Sequence, residues 1–318
     1  MKLTPKTFRF CPRFCPRFGQ WVSLGIWLLC VVGCGSKEGE SAKTLDEIAA
    51  PQPLPPLPSP NGYEMLLQAA DNTKPLPSPV ESMSRGGLEA YLASHDDAFA
   101  IVRSALQEES RVILDGASEF SEDHAKGQES LRNLVNLYLA RAALAEGKVQ
   151  MPAAMEAYLE LLQIGIEVGR GGLESDLRLG IEVEEKARVG LDGLIRRLPK
   201  DAVKEGLEVL IEIHGTRPTP LALREWATLL ESTIHSSLLE GLDDSQRQQR
   251  KAQWDAVVDD STRQLSKLLG LLVRWSARAY EFEHGTLPET LSNLVPNLLS
   301  DVPIDPSTGQ PFTAAVLK

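Results

Sequence analysis

Cysteine is scarce in this chain of 318 residues and is confined to its first part. The four cysteines are Cys11, Cys15, Cys30 and Cys34. The residues after position 34 can therefore form no disulfide, thiolate metal site or cysteine nucleophile. A fold built from them must be stabilised by its hydrophobic core, and about 230 residues are ample for one large core or two small ones.

The sequence also lacks the short motifs that carry familiar catalytic chemistry. It contains no Gly-x-Ser-x-Gly elbow, Walker A loop, dinucleotide-binding fingerprint or His-Glu-x-x-His motif. Its five scattered histidines are His95, His124, His214, His235 and His284. We therefore predict that the protein is not an enzyme and has no catalytic, cofactor-binding or metal-binding residues. An enzyme with an unrecognised acid-based site is the alternative.

Several acidic residues lie close enough to other groups to suggest chemistry. Two of the acids lie one helical turn before a histidine, in the pairs Glu231 with His235 and Glu281 with His284. We interpret both pairs as solvated ion pairs, because a carboxylate di-iron site requires two Glu-x-x-His motifs and two further glutamates.

Two other patterns are open to a structural and a functional interpretation. Glu182, Glu184 and Glu185 are interpreted as an exposed helix face rather than a metal cluster. Residues 169–172 read Gly-Arg-Gly-Gly and are interpreted as a turn between helices. The alternative for the turn is an anion cradle at the start of the next helix.

Basic charge is in short supply, since the chain has 33 basic and 44 acidic residues. Without the five basic residues of positions 1–33, its net charge falls to −16. An acidic body argues against a nucleic-acid partner, because phosphate binding requires clustered lysine and arginine. It also argues against electrostatic attachment to anionic lipid.

The N-terminal segment has the order of a signal peptide. A basic stretch without acids precedes an uncharged apolar run at 21–32. That run is short for a membrane span, which requires ~20 residues. It ends in Val31, Val32, Gly33 and Cys34, and this order resembles the lipobox of bacterial lipoproteins.

The resemblance implies that the Cys34 thiol receives a diacylglycerol and that cleavage leaves Cys34 as the first residue. We therefore expect residues 1–33 to be a signal peptide and the protein to be exported. It would be anchored by lipid to the cell membrane or outer membrane, facing the periplasm or the outside. An ordinary cleaved signal peptide and an uncleaved anchor helix are the alternatives.

Residues 34–85 are predicted to be a linker. Nine of the chain's 21 prolines fall between positions 51 and 79, and such a composition favours extended polyproline II structure. A spacer that holds the body away from the membrane explains this composition, and a ligand for a proline-binding groove is the alternative. Within the linker, residues 63–70 are compatible with a short helix that docks on the body.

Residues 86–284 are predicted to be a helical domain, because apolar residues recur at helical spacing and strand signals are nearly absent. Ser94 and Asp97 read as a capping box, and a final long helix from about 245 to 282 carries a heptad-like seam. The pattern of Tyr138, Gly147 and Tyr158 resembles one tetratricopeptide-repeat hairpin. The predicted fold class is all-α, either an antiparallel bundle or hairpins of that kind.

Residues 285–318 are predicted to be a short irregular tail. Gly285, Pro288 and Leu291 precede a Pro-x-Asp-Pro turn and a Gly-x-Pro-aromatic segment. This order resembles the carboxy-terminal segment of type II secretion major pseudopilins. It predicts that Leu287 and Leu291 pack back on the long helix. The residues expected to shape the tail turn are Asp305, Pro306 and Gly309.

The whole order of signal peptide, linker, helical domain and tail resembles uncharacterised bacterial envelope lipoproteins. We therefore expect a membrane-tethered structural or protein-interaction module with an envelope protein as its partner and no nucleic acid. The tail alone suggests an alternative, an accessory factor of a secretion or pilus-like system.

Overall fold

A computed structural model describes residues 53–114, 121–233 and 243–317. The α-helices in these ranges are α1 Gly62–Asp71, α2 Arg85–Ala93, α3 Asp96–Ala105, α4 Glu122–Gly147, α5 Met151–Gly169, α6 Glu174–Leu194, α7 Lys200–Thr216, α8 Pro220–Thr233 and α9 Asp244–His284. The only strands of this described part are β1 Ile304–Asp305 and β2 Gln310–Pro311, which pair antiparallel. The predicted all-α helical bundle is confirmed.

Helices α4, α5 and α6 form the centre of the bundle. Each packs on the next after a short turn, while α1 and α2 pack on α4, and α3 packs on α1. The long helix α9 packs across α6, α7 and α8. The largest fully buried side chains include Tyr138, Leu162, Leu191 and Trp275. Burying each such side chain contributes about 1.5–3 kcal/mol, so the bundle is stabilised largely by these contacts.

A second, smaller core lies between α8 and the first half of α9. It contains Leu223, Leu230, Trp254 and Val257, with Leu177 contributed by α6. The described residues therefore form one large and one small core from uncharged side chains, and no disulfide supports either core.

Helices α5 and α6 approach closely because glycines face each other. A Cβ atom on Gly180 would lie 2.5 Å from the carbonyl oxygen of Gly165, closer than atoms can pack. The same approach brings Glu184 of α6 against Gly165. This glycine contact places a carboxylate inside the bundle.

The linker prediction requires a correction, because residues 53–85 belong to the helical body. Tyr63 and Leu66 of α1 are buried in the main core, and Leu54 packs against the small one. Nη1 of Arg111 donates to the carbonyl oxygens of Pro55 and Pro56, at 3.0 and 2.9 Å. The short helix expected to dock on the body at 63–70 is present as α1, and the packed body thus begins before residue 85. Residues 1–52, with the rest of the linker, lie outside the described ranges.

The predicted capping box at Ser94 is also wrong. Ser94 ends α2 as its C-cap, and its hydroxyl donates to the carbonyl oxygen of Tyr91 at 2.7 Å. Residue His95 is the N-cap of α3 and makes no side-chain cap hydrogen bond. The two helices follow each other so closely that Ser94 serves the preceding helix.

The tail packs on the bundle much as predicted. Leu291 and Leu294 are buried, and Gly309 has a φ of 70°. The carboxylate of Asp305 accepts hydrogen bonds from the amide and hydroxyl of Ser307, at 2.8 and 2.7 Å. Leu287 departs from the prediction, because its side chain is 51% exposed.

Candidate functional site

A groove opens beside helix α3 on the surface of the bundle. It is a shallow, open groove of about 330 Å³, lined by Leu92, Ala93, Asp96, Phe99, Arg103 and Arg141. Three of these residues come from one face of α3, because positions three, four and seven apart share a face of a helix.

An arginine stacked on aromatic rings forms one wall of the groove. The guanidinium carbon of Arg141 lies 5.1 Å from the ring centre of Phe99 and 5.8 Å from that of Tyr138. Nη1 of Arg141 donates to Oε2 of Glu160 at 2.7 Å. Stacking and a charged hydrogen bond together hold this side chain in one orientation.

Burial changes the acidity of the groups behind this wall. Desolvation raises the pKa of Glu160, while the neighbouring Arg141 lowers it in part. Desolvation also raises the pKa of the Tyr138 hydroxyl.

Opposite charges stand at the two ends of the α3 face. Asp96 lies in the first turn of α3, and Arg103 in its last turn. Both side chains are exposed, and neither forms a hydrogen bond or an ion pair within the described ranges. The groove therefore presents a carboxylate and a guanidinium group, each without a partner in the described ranges.

A buried ion pair lies elsewhere, between the two cores. Nε of Arg217 donates to Oε2 of Glu184 at 3.0 Å, and Nη2 donates to the Ser261 hydroxyl at 3.1 Å. Burial raises the pKa of Glu184, and Arg217 opposes that rise. A cavity of about 20 Å³ adjoins the pair, with room for about one water molecule.

A third polar cluster holds the start of α6. Oδ2 of Asp176 accepts from the amide of Leu173 at 2.8 Å, and its Oδ1 accepts from Nε2 of Gln128 at 2.8 Å. Nε2 of His124 lies 3.0 Å from the same oxygen. Asp176 is fully buried, so these contacts satisfy a carboxylate that caps the helix.

None of the site residues predicted from the sequence lines the groove. Cys34 and the lipobox residues Val31, Val32 and Gly33 lie outside the described ranges. Asp305, Pro306 and Gly309 form the tail turn, remote in sequence from every residue that lines the groove. Within the described ranges, no group of three or more His, Cys, Asp or Glu side chains is arranged to hold a metal ion.

Two interpretations of acidic residues are corrected. Glu184 is buried, so the acidic run at 182–185 is not wholly an exposed face. Glu281 pairs with Arg278 at 2.5 Å, whereas the ring of His284 stacks on Tyr280 at 4.0 Å. His235 falls outside the described ranges.

The turn at 169–172 has a structural role. Gly171 has a φ of 66°, and the carbonyl oxygen of Gly172 accepts a hydrogen bond from Nε1 of Trp226 at 3.0 Å. The turn thus joins α5 to α6 as predicted and supports the small core.

Sequence reasoning missed every residue of the groove. The spacing of Asp96, Phe99 and Arg103 on one helix face was available, but nothing in the sequence brings Arg141 to that face. The approach of α4 to the α2–α3 pair is decided by packing over a distance of about 40 residues in the chain.

Comparisons with protein-family models, with curated proteins and with solved structures found no match to this chain. Among the helices of the described ranges, none is long and apolar enough to cross a membrane.

Proposed function

We propose that this protein is a bacterial envelope lipoprotein, anchored through Cys34, whose helical body is a protein-interaction module. The order Val31, Val32, Gly33 and Cys34 supports the lipid anchor. The observation that carries the interaction role is the groove, where Arg141 stacks on Phe99 beside unpaired charges. Arginine is among the side chains that contribute most to the binding energy of protein interfaces.

The proposed lipid anchor is tested by metabolic labelling with a fatty acid. We expect wild-type protein to incorporate label and to fractionate with membranes, and Cys34→Ala protein to do neither. An unlabelled wild-type protein, or a label retained in the Cys34→Ala variant, would contradict the lipid anchor.

The interaction role is tested by affinity purification of tagged protein from crosslinked cells. Arg103→Glu reverses one unpaired charge of the groove, and Arg196→Glu makes the same change at an exposed arginine outside it. We expect a partner that is recovered with wild-type and Arg196→Glu protein but lost with Arg103→Glu protein. Equal recovery with both variants would remove the groove from the interaction.

Cys34→Ala protein serves as the second comparison in this purification. A partner that depends on both the groove and the anchor identifies a module that works at the membrane. Recovery without the anchor assigns the partner to the soluble compartment and leaves the groove as its binding site.

An enzyme with an acid-based site is the second candidate, favoured by the raised pKa of Glu160 beside Arg141. A carboxylic acid tuned in this way is a feature of catalytic sites. Hydrolysis of generic ester, phosphate or glycoside substrates by wild-type protein, lost in Glu160→Gln protein, would support this candidate. Equal rates for the two proteins would count against it.

A further inference from the structure

Residues 53–58, here called the proline segment, have a backbone that is restricted by their sequence. Each of these six residues is a proline or stands directly before one, and none belongs to a helix or strand. A proline ring holds φ at about −65°, and the residue before a proline is confined to extended conformations. The sequence thus favours polyproline II structure before any contact is made.

Contacts with the body hold the proline segment in place. Leu54 packs against the small core, and Nη1 of Arg111 donates to the carbonyl oxygens of Pro55 and Pro56. Just beyond the segment, the side-chain amide of Asn61 donates to the carbonyl oxygen of Arg111 at 2.8 Å and accepts from its amide at 3.0 Å. A partner that binds this segment therefore has little chain entropy to overcome.

The solvent-facing side of the proline segment is apolar. Pro53, Pro55 and Pro56 are exposed, and Leu57 is 46% exposed. The segment carries no charge, and its prolines have no backbone N–H, so it offers mainly apolar rings and carbonyl acceptors. A complementary surface must therefore pack flat apolar groups on the rings and donate hydrogen bonds to the carbonyl oxygens.

From these contacts we propose that the proline segment is a preformed ligand for a partner protein with an aromatic-lined groove of its own. Tryptophan and tyrosine provide both requirements, because each has a flat ring and a hydrogen-bond donor. Pro53 and Pro56 share one edge of a polyproline II helix, which has three residues per turn, and the partner's rings pack on this edge and on Leu57. The proline segment shares no residue with the groove beside α3 and adds a second contact surface to the proposed function.

The chain repeats part of this sequence in another setting. Residues 56–60 and 75–79 both read Pro-Leu-Pro-Ser-Pro. In the second copy, Leu76 packs against the main core and the chain bends at 77–78. The first copy instead continues an extended run and presents Leu57 to solvent. The second copy therefore supplies a matched control for the proline segment.

The test is a calorimetric titration of full-length protein in detergent with a WW domain, whose aromatic groove binds proline-rich segments. Leu57→Asp places a charge on the apolar side of the segment, and Leu221→Asp places the same charge at an exposed leucine of α8. Pro56→Ala and Pro77→Ala alter exposed prolines of the two copies.

We expect Leu57→Asp and Pro56→Ala proteins to bind the WW domain about tenfold more weakly than wild type, and Leu221→Asp and Pro77→Ala proteins to bind it as wild type does. Circular dichroism of each variant verifies that the helical body is intact. No binding by wild-type protein, or equal losses in the variants and their controls, overturns the proposal.

The same segment is tested in cells with a photoreactive amino acid placed at Ser59, which is exposed beside the proline segment. We expect its crosslinks to map to tryptophan- or tyrosine-containing peptides of a partner that Leu57→Asp protein no longer recovers. Crosslinks to partner peptides without these residues, or recovery of the same partner by Leu57→Asp protein, overturn the aromatic groove.

The two proposals fail separately. Arg103→Glu alters the groove beside α3 and leaves the proline segment unchanged, whereas Leu57→Asp does the reverse. A partner lost with Arg103→Glu protein alone overturns the proline segment as a contact in the cell. A partner lost with Leu57→Asp protein alone overturns the role of the groove beside α3.

Discussion

At the scale of the residue, Val149 stands in a conformation that suits glycine. Its φ is 59°, and its side chain is 79% exposed at the turn between α4 and α5. The left-handed region costs a residue with a Cβ atom about 1–2 kcal/mol. The chain accepts that cost because the amide of Gln150 donates to the carbonyl oxygen of Ala145 at 2.8 Å and closes the helix end.

Replacing this valine by glycine is expected to stabilise the protein. Val149→Gly removes the strain but adds the conformational entropy of glycine in the unfolded chain, which leaves a net gain of about 0.5–1 kcal/mol. Val189 is an exposed valine inside α6, and Val189→Gly should instead lose about 0.5 kcal/mol. Urea unfolding measures the free energy of unfolding of both variants. A lower value for Val149→Gly than for wild type would refute the strain argument.

Glu185 links two helices through charge. Its carboxylate accepts two hydrogen bonds from Arg188, each 2.9 Å long, and lies 3.4 Å from Nζ of Lys267. The bonds from Arg188, with help from Gln264 and Lys267, lower the pKa of Glu185 to about 2. The ionised form is therefore favoured in the folded state.

This shift predicts the acid side of the stability curve. The contribution of Glu185 is complete above its ordinary pKa of 4.5 and is lost as the pH falls towards about 2. Unfolding followed at several pH values should give a shallower slope in this window for Glu185→Gln than for wild type. Glu205→Gln removes an exposed carboxylate elsewhere and controls for the lost charge. Equal slopes in the two variants would contradict the linkage.

At the scale of the element, the tail acts on the bundle through a few leucines. Leu294 has no exposed surface, whereas Leu287 is half exposed in the same segment. Phe312 and Val316 also pack on the core, near Gly270 of α9. These contacts are those of a structural clasp on the long helix.

The clasp makes a quantitative prediction. Leu294→Ala should lower the free energy of unfolding by about 2–5 kcal/mol, because it leaves a cavity in the core. Leu287→Ala should change it by less than about 0.5 kcal/mol, as expected for a surface position. Denaturant titration decides between the clasp and a docking element. A docking element would tolerate Leu294→Ala without loss of stability and would lose its partner instead.

Local chemistry explains which parts of these elements could be predicted. The end of α4 at Gly147, the turn at Gly309 and the span of α9 follow from turn residues and helical periodicity within a short stretch. The role of Ser94 could not be predicted, because the same residue is a good N-cap and is used here to end the preceding helix.

At the scale of the whole molecule, one buried ion pair lies between the two cores. Arg217 follows α7, Glu184 belongs to α6, and Ser261 belongs to α9. The ion pair therefore connects three helices. Its carboxylate and guanidinium are each less than a tenth exposed, so neither can be satisfied by bulk water.

Removing one partner of this ion pair should destabilise the protein strongly, whereas replacing both partners by apolar residues should not. Arg217→Ala leaves Glu184 buried without a partner and is expected to lose about 3–5 kcal/mol. The double variant Glu184→Leu with Arg217→Met should recover most of that loss, because apolar side chains need no partner. A double-mutant cycle in urea measures the coupling. If Arg217→Ala lowered the free energy of unfolding by less than about 1 kcal/mol, the ion pair would not be important for holding the three helices together.

The sequence by itself determined the helices, their approximate ends, the turn chemistry of the tail and the expectation of a lipid anchor at Cys34. Each of these depends on residues that are neighbours in the chain. Tertiary structure alone decided that Glu184 is buried and that Arg141 meets the α3 face. Those features depend on which helices pack together, and that choice minimises exposed apolar surface over the whole chain rather than within any one segment.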